Sequence, residues 1–355
     1  MKGRQIVLGQ IFGRDAAALM QDGQLEDLII DAGDVTPLAP GAICRARVDR
    51  LVKGQGGVFL RLPEGERGYL RDRGGLREGQ SLLVQISGSA EDGKAIPVSS
   101  RLSFRGRHVI VTPGAPGVNI SRRIKDEAIR EELAALGASA LGDAPDAPDA
   151  AGLVFRSASA TADPERVAEE LGELLTLARN VLADNSGQPE LLVDAAEPAI
   201  AAWNDWAEPE PDSVEDAPDS FEVTGATDAV EAMLSSRVEL GGGAWAEIEA
   251  LRALVAIDVN TGSDTSPAAG LKANIALARD LSRQLRLRGL GGQIVVDFAP
   301  MPKRDRGTLE QILRAAFKSE SSETVLIGWT AMGLYEISRK RDRLPLRRLA
   351  GLESR

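Results

Sequence analysis

The last third of the chain alternates apolar stretches with amphipathic ones, and this order constrains the fold more than any other feature. ALVAIDVNTG, LGGQIVVDFAP and TVLIGWT read as strands, and a helix is predicted over residues 307–317, between the second and third. Between the first and second, apolar residues recur at helical spacing, at Leu271, Ile275, Ala278, Leu281 and Leu285. Apolar strands separated by helices are typical of an α/β sheet buried on both faces, and we predict that fold class here.

The first part of the chain has a different pattern. Residues 42–62 alternate apolar and polar side chains around a Gly-rich break at 54–57, as two strands and a turn would. Further short apolar segments follow in GERGYLRD, SLLVQISG, KAIPVSSRLSF and HVIVTP. Five or so short strands with Gly-rich turns predict a small barrel of the oligonucleotide-binding type.

The middle of the chain is predicted to be more helical. Residues 122–136 and the stretch that starts at Pro164 have helical patterns, with a strand at GLVFRSAS between them. Residues 204–220, NDWAEPEPDSVEDAPDS, are acidic and Pro-rich, which predicts a solvated loop or a disordered insert. An alternative is that this stretch mimics RNA and shields basic surfaces.

Charge is strongly segregated along the sequence. Residues 41–130 and residues 271–355 each hold 17 Lys and Arg against 9 Asp and Glu, whereas the whole chain has a net charge of −11. Two basic blocks therefore flank an acidic middle, which favours contacts with a polyanion. The alternative is that these charges mix in three dimensions.

Cys44 and His108 are the only cysteine and the only histidine. An internal disulfide, a Cys/His zinc site within one chain and two-histidine ribonuclease chemistry are therefore excluded, and we interpret His108 as structural. No apolar run reaches the ~18 residues of a membrane span, and Arg14 and Asp15 argue against a signal peptide. We expect a cytoplasmic protein without a membrane partner.

Two of the apolar strands end in acidic residues. VAIDVN places Asp258 and Asn260 after an apolar run, and IVVDF does the same with Asp297. Ligands of open α/β sheets bind at the carboxyl ends of strands, and strand alternation puts Asn260 on the same face as Asp258. Oxygen donors alone favour Mg²⁺ or Mn²⁺ over zinc. The alternative is that the aspartates are helix caps or turn formers.

These motifs resemble a known family. AIDVNTG, the following LKANIALARDLSRQLRLRGLGGQIVVDF, and GLYEISRKR are similar to the catalytic core of ribonucleases E and G. Four segments earlier in the chain also match the family, in the same order: DGQLEDLIID, GVFLRLPEGERGYL, NISRRI and GLVFRSAS. The resemblance therefore covers nearly the whole chain and is weakest at 130–150 and 181–235. It implies a Mg²⁺-dependent endoribonuclease that cuts single-stranded RNA and leaves 5′-phosphate and 3′-hydroxyl ends. Asp258 and Asp297 would bind the metal, and Asn260 would hold the site by hydrogen bonding.

The resemblance also implies a multidomain α/β fold. An RNase H-like subdomain would comprise residues 1–37 and 186–270, the latter including the acidic insert 204–220. An S1 barrel (38–118), a 5′-phosphate sensor region (119–185) and a DNase I-like catalytic subdomain (271–355) would complete the chain.

The RNA-contacting residues follow from the same resemblance. Phe59 and Tyr69 match base-stacking aromatics of the S1 barrel, with filling of the barrel core as the alternative. Lys94, Arg122 and Arg123 are expected to contact RNA, with a solvated face as the alternative for the arginines. Arg156 and Ser157 match the Arg-Thr pair that recognises a 5′-monophosphate, which a guanidinium fork and a hydroxyl suit.

The sequence also departs from the family. The Cys-Pro-x-Cys segment that links subunits through zinc is absent from these residues, as is the degradosome-assembling region, so we expect no zinc and leave open a homodimer formed without it. Pro300 replaces a common Asp, and Arg252 replaces a common Glu. Two alternatives stay open, a catalytically weak or inactive RNA-binding paralogue acting through its S1 barrel and a structural protein of the translation or ribosome-maturation machinery.

Overall fold

A computed structural model describes residues 3–51, 56–72, 74–90, 93–142 and 151–352, which form a mixed α/β protein. Its strands are β1 (Arg4–Ile11), β2 (Arg14–Gln21), β3 (Gln24–Ile30), β4 (Ile43–Leu51), β5 (Val58–Arg61), β6 (Arg67–Leu70), β7 (Ser81–Ile86), β8 (Ile96–Ser99), β9 (Phe104–Arg105), β10 (Val109–Pro113), β11 (Gly117–Ile120), β12 (Ala151–Phe155), β13 (Glu190–Val193), β14 (Ser213–Glu215), β15 (Arg237–Gly241), β16 (Ala244–Ala250), β17 (Val255–Asn260), β18 (Gly292–Asp297), β19 (Thr324–Trp329) and β20 (Tyr335–Arg339). Its α-helices are α1 (Glu127–Leu141), α2 (Pro164–Ala183), α3 (Pro198–Trp206), α4 (Ser220–Val223), α5 (Ala226–Ala232), α6 (Ala269–Leu287), α7 (Arg306–Phe317) and α8 (Leu346–Leu349). None of the helices in these ranges is long and apolar enough to cross a membrane.

The N-terminal sheet has the strand order β14-β1-β2-β3 and contains part of the acidic stretch. β14 pairs in parallel with β1, with Ser213 opposite Gln5, and Trp206 at the end of α3 is buried among residues such as Ile6 and Leu19. The prediction of a solvated or disordered segment over 204–220 is therefore wrong for Trp206 and for β14, whereas residues 208–212 and 216–219 form loops on the surface, as predicted. The partner of β14 lies about 200 residues away in the chain, so no local pattern could have identified it.

The predicted barrel is present and closed. Its strands follow the order β4-β5-β6-β8-β7, and β7 returns to pair with β4. Alternate side chains such as Val58, Leu60 and Leu70 fill its core. The Gly-rich break at 54–57 lies partly outside the described residues. HVIVTP forms β10, which pairs with β9 and β12 in a separate sheet rather than in the barrel.

That separate sheet, β11-β12-β10-β9, packs against α1 and α2. Helix α1 begins later than the predicted residue 122, because the side chain of Asp126 accepts hydrogen bonds from the backbone N–H groups of Ala128 and Ile129 and caps the helix there. Helix α2 begins at Pro164, as predicted.

The C-terminal sheet has the order β15-β16-β17-β18-β20-β19, with β17 and β18 parallel. Helices α6 and α7 cover one face of this sheet. The side chains buried between them include Ile257, Val259, Ile294, Val296, Leu277, Leu281, Leu309 and Leu313. Burial of each large apolar side chain contributes about 1.5–3 kcal/mol to the stability of the fold. The opposite face, which carries Asp258, Gln293, Asp297 and Ser338, is open to solvent within the described part of the chain. The prediction of a sheet buried on both faces is wrong.

Candidate active site

Asp258 and Asp297 lie side by side on this open face. They are register partners on the neighbouring parallel strands β17 and β18, and Asp297 is the last residue of its strand. Neighbouring strands lie about 4.8 Å apart, and residues in register point to the same face. Both side chains are exposed. The register therefore brings the two carboxylates together at the edge where the sequence placed a ligand site.

Asn260 supports this pair from the same strand. Its Nδ2 donates a hydrogen bond of 2.8 Å to Oδ2 of Asp258. Because the bond fixes one carboxylate oxygen, the remaining carboxylate oxygens of the pair stay available to a ligand on the solvent side.

The donor set fits a hard divalent cation. Neither Asp258 nor Asp297 forms an ion pair with a lysine or arginine of the described residues, so two like charges face each other without a neutralising partner. Such a pair is electrostatically unfavourable, and a bound cation would reverse that cost. Across the described ranges, no third His, Cys, Asp or Glu joins them to make a protein-only metal cluster. Two carboxylates with water completing the shell suit Mg²⁺ or Mn²⁺.

A buried asparagine holds the segment that follows Asp297. Asn274 of α6 is 0% exposed; its Nδ2 donates to the Ala299 carbonyl and its Oδ1 accepts from the Ala299 N–H, each at 2.9 Å. Asn274 is not evident from the sequence, because it lies among apolar helix positions. Pro300 comes directly after the clamp and is exposed, as is Arg252 in the turn before β17.

The neighbouring strand β16 adds residues that the sequence argument also missed. Glu247 is opposite Asp258, and Trp245 is opposite Asn260, so both face the open side. The Oε2 of Glu247 accepts a hydrogen bond of 2.8 Å from Ser236 Oγ. Alternation in AWAEIEA would have predicted this strand.

The two barrel aromatics lie outside the barrel core. Phe59 and Tyr69 are opposite each other on β5 and β6, with ring centroids 5.5 Å apart, and both are half-buried. The Arg50 guanidinium lies over Phe59, 4.9 Å from its centroid. Since the core positions alternate with these, core filling does not account for them.

A cleft of about 810 Å³ connects the barrel with the open face. Tyr69 and the exposed Lys94 line its barrel side. Gln293, Ser338 and Lys340 line the opposite side. Gln293 lies four residues before Asp297 on the same face of β18, which is about 13 Å along a strand.

The remaining predicted RNA contacts lie in the segments that directly follow β11 and β12. Arg122 and Arg123 are exposed in the turn before α1. Arg156 is already engaged: its Nη1 donates to the carbonyls of Gly106 and Asn204, and its Nη2 lies 2.7 Å from Asp205 Oδ1. Ser157 follows as the first residue of a 3-10 turn.

His108 has the structural role that we expected. Its Nδ1 lies 2.8 Å from Glu170 Oε2, while Glu170 Oε1 accepts from the backbone N–H groups of His108 and Val109. This carboxylate holds the start of β10 against α2.

Comparison with known proteins identifies the family of the chain. The model of the Ribonuclease E/G family matches residues 103–215 and 210–342. The chain is 26% identical to a ribonuclease E of Nostoc sp. over 96% of its own length, and 28% identical to the ribonuclease G of Escherichia coli over 76%. A ribonuclease G of Haemophilus influenzae is 26% identical over 76%. These alignments span only 56–61% of the relatives' length. The chain belongs to the ribonuclease E/G family.

Proposed function

We propose that this chain is a metal-dependent endoribonuclease that cleaves single-stranded RNA in the cytoplasm and leaves 5′-phosphate and 3′-hydroxyl ends. The observation that carries the proposal is the register pairing of Asp258 with Asp297 on an open sheet face, with Asn260 hydrogen-bonded to the first of them. The names of the relatives support the choice of RNA as substrate.

In this proposal Asp258 and Asp297 hold one Mg²⁺ or Mn²⁺ ion through carboxylate oxygens. When bound, the ion supplies a Lewis acid that activates water and offsets charge on the phosphate. Asn260 keeps the Asp258 carboxylate in a fixed orientation, and Asn274 keeps the strand end at Asp297 in place through Ala299. No zinc is needed.

The barrel and the cleft would hold the substrate. Bases would stack on Phe59 and Tyr69, at about 1–3 kcal/mol per base. Lys94, at the barrel side of the cleft, would contact the RNA backbone. Arg122 and Arg123 would contact the backbone further upstream. The RNA would then lie on the open face of the C-terminal sheet, close to the carboxylates of Asp258 and Asp297.

Arg156 and Ser157 would recognise a 5′-monophosphate. A phosphate dianion would replace Asp205 on the Arg156 Nη2, and the Ser157 hydroxyl would add a hydrogen bond. In this interpretation the acidic stretch competes with the RNA end for the same guanidinium.

We also propose the domain division that the family resemblance implies. Residues 1–37 and 186–270 would form the RNase H-like subdomain, which the pairing of β14 with β1 supports. The S1 barrel (38–118), the sensor region (119–185) and the DNase I-like subdomain (271–355) would form the rest. A homodimer without a zinc link fits this proposal as well.

The test uses a fluorescent 5′-monophosphorylated single-stranded RNA with Mg²⁺. Wild-type protein should cut it internally, whereas an Asp258→Asn/Asp297→Asn variant and an EDTA control should leave it intact. Tight binding without cutting by the wild type would contradict the enzyme and favour the alternative, an RNA-binding paralogue. Pro300, where the family resemblance implies an acid, and Arg252, where it implies a Glu, favour that alternative.

A further inference from the structure

An aromatic side chain lies on the open face beside the candidate metal site. Trp245 is opposite Asn260 across β16 and β17, one strand away from Asp258. It is half-buried and is not one of the residues that pack into the core beneath α6 and α7. Large aromatics of a sheet usually complete a core, so this ring occupies a position that packing does not require.

An arginine stacks on this ring. The Arg237 guanidinium carbon lies 4.3 Å from the Trp245 ring centroid, and Arg237 is opposite Glu247 on the same face. Its Nε donates to Glu239 Oε1 at 2.5 Å, and its side chain is 46% exposed. Hydrogen bonding through Nε holds the guanidinium in place, and the exposed part of the group can reach a phosphate.

The turn after β17 also packs close to this ring. Gly262 adopts a φ of +63°, and a Cβ there would lie 2.1 Å from the Gly243 carbonyl oxygen and 3.3 Å from Cζ3 of Trp245. The β15–β16 turn, the turn after Asn260 and the indole therefore pack closely. A ring held in this way loses little conformational entropy when a ligand stacks on it.

We propose that Trp245 and Arg237 form a nucleotide-binding subsite next to the carboxylates, in which the base stacks on the face of the indole that the guanidinium does not cover and the guanidinium contacts the adjoining phosphate. Aromatic and cationic groups together are the combination by which proteins hold single-stranded nucleic acid. The subsite rests on the proposed function, and it deepens that function by placing one nucleotide of the substrate over β16. It extends the RNA path from the cleft across the carboxylates to the far side of the open face.

The first test is kinetic and uses a 5′-hydroxyl RNA, so that the sensor region plays no part. Trp245→Ala should raise KM about tenfold, and Trp245→Phe should recover most of the loss because it keeps a stacking ring. Trp203→Ala is the matched control, since Trp203 is exposed and also lies under an arginine, at 5.2 Å from Arg107, but on α3. An unchanged KM in Trp245→Ala, with the wild type cleaving, overturns the subsite and leaves the proposed function intact.

The second test needs no cleavage. 2-Aminopurine is placed at each position of the RNA in turn, and its fluorescence is read in EDTA. Quenching at one position in the wild type and in Trp203→Ala, lost in Trp245→Ala and partly kept in Trp245→Phe, supports the subsite even if the wild type proves inactive. The same quenching in Trp245→Ala as in the wild type overturns it, whatever the cleavage assay shows.

Discussion

Asp258 and Asp297 face the solvent as register partners, two carboxylates on neighbouring parallel strands with no ion-pair partner among the described residues. The arrangement costs stability when no cation is present, because like charges directly across a sheet repel. Metal binding at Asp258 and Asp297 should therefore change both the stability of the protein and its proposed catalytic activity.

The charge pair predicts opposite effects of mutation on stability and on catalysis. In EDTA, Asp297→Asn should leave the free energy of unfolding unchanged or raise it by about 0.2–1 kcal/mol, since the repulsion is removed. In Mg²⁺ the wild type should gain about 2.7 kcal/mol at a hundredfold excess over Kd, and Asp297→Asn should gain less. Thermal unfolding with and without Mg²⁺ measures both effects. Destabilisation of the variant in EDTA would contradict the prediction.

The Asn274 clamp predicts a coupled loss of stability and activity. Asn274→Ala leaves the Ala299 N–H and carbonyl without their buried partner, which should cost about 1–3 kcal/mol of unfolding free energy. The value of kcat should fall as well, because the strand end at Asp297 loses its support. Asn180→Ala, at an exposed position of α2, is the control and should stay within about 0.5 kcal/mol of wild type. Equal denaturant midpoints for the two variants would refute the clamp.

The contact between Arg156 and Asp205 predicts that 5′-end recognition is restrained. Asp205→Asn should increase the preference for 5′-monophosphorylated over 5′-hydroxyl RNA several-fold, since the guanidinium loses a competing carboxylate. Arg156→Ala should abolish the preference. Asp216→Asn removes one charge from the same acidic stretch and is the matched control. Competition kinetics with the two RNAs measure the ratio, and an identical ratio in Asp205→Asn and Asp216→Asn would exclude the restraint.

The single thiol predicts how often the barrel opens. Cys44 is 0% exposed in the barrel core, and burial raises the pKa of its thiol to about 12. Because the thiolate is the reactive form, an aromatic disulfide reagent should react slowly with native protein at pH 8 and rapidly in denaturant. Fast labelling of the native protein would mean that the closed barrel is not its stable form.

Periodicity and motif order were sufficient to predict the α/β core, the closed barrel and the convergence of Asp258 and Asp297. They were not sufficient to predict the open face of the C-terminal sheet. Ala256 and Val295 lie on that face among polar neighbours, so β17 and β18 appeared continuously apolar although burial alternates along both strands. Because of these two apolar residues, the sequence of a sheet covered on one face resembles that of a sheet covered on both faces.

Other features depended on pairings that no local pattern contains. The β14 strand has only three residues within the acidic stretch, and it forms by pairing with the edge of β1. Trp245 and Glu247 join the site only through the register of β16 with β17, which the sequence does not display. The partners of Arg156 lie about 50 residues away in either direction, at Gly106 and Asp205.

The proposed function requires that Asp258 and Asp297 together hold one catalytic divalent ion. Electron paramagnetic resonance titration of Mn²⁺ into wild type and into Asp258→Asn/Asp297→Asn tests it most directly, with RNA cleavage measured on the same samples. We expect one ion bound per wild-type chain, together with cleavage, and loss of both in the variant while its unfolding temperature is retained. Equal Mn²⁺ binding by the two proteins, or cleavage that survives the double substitution, would contradict it.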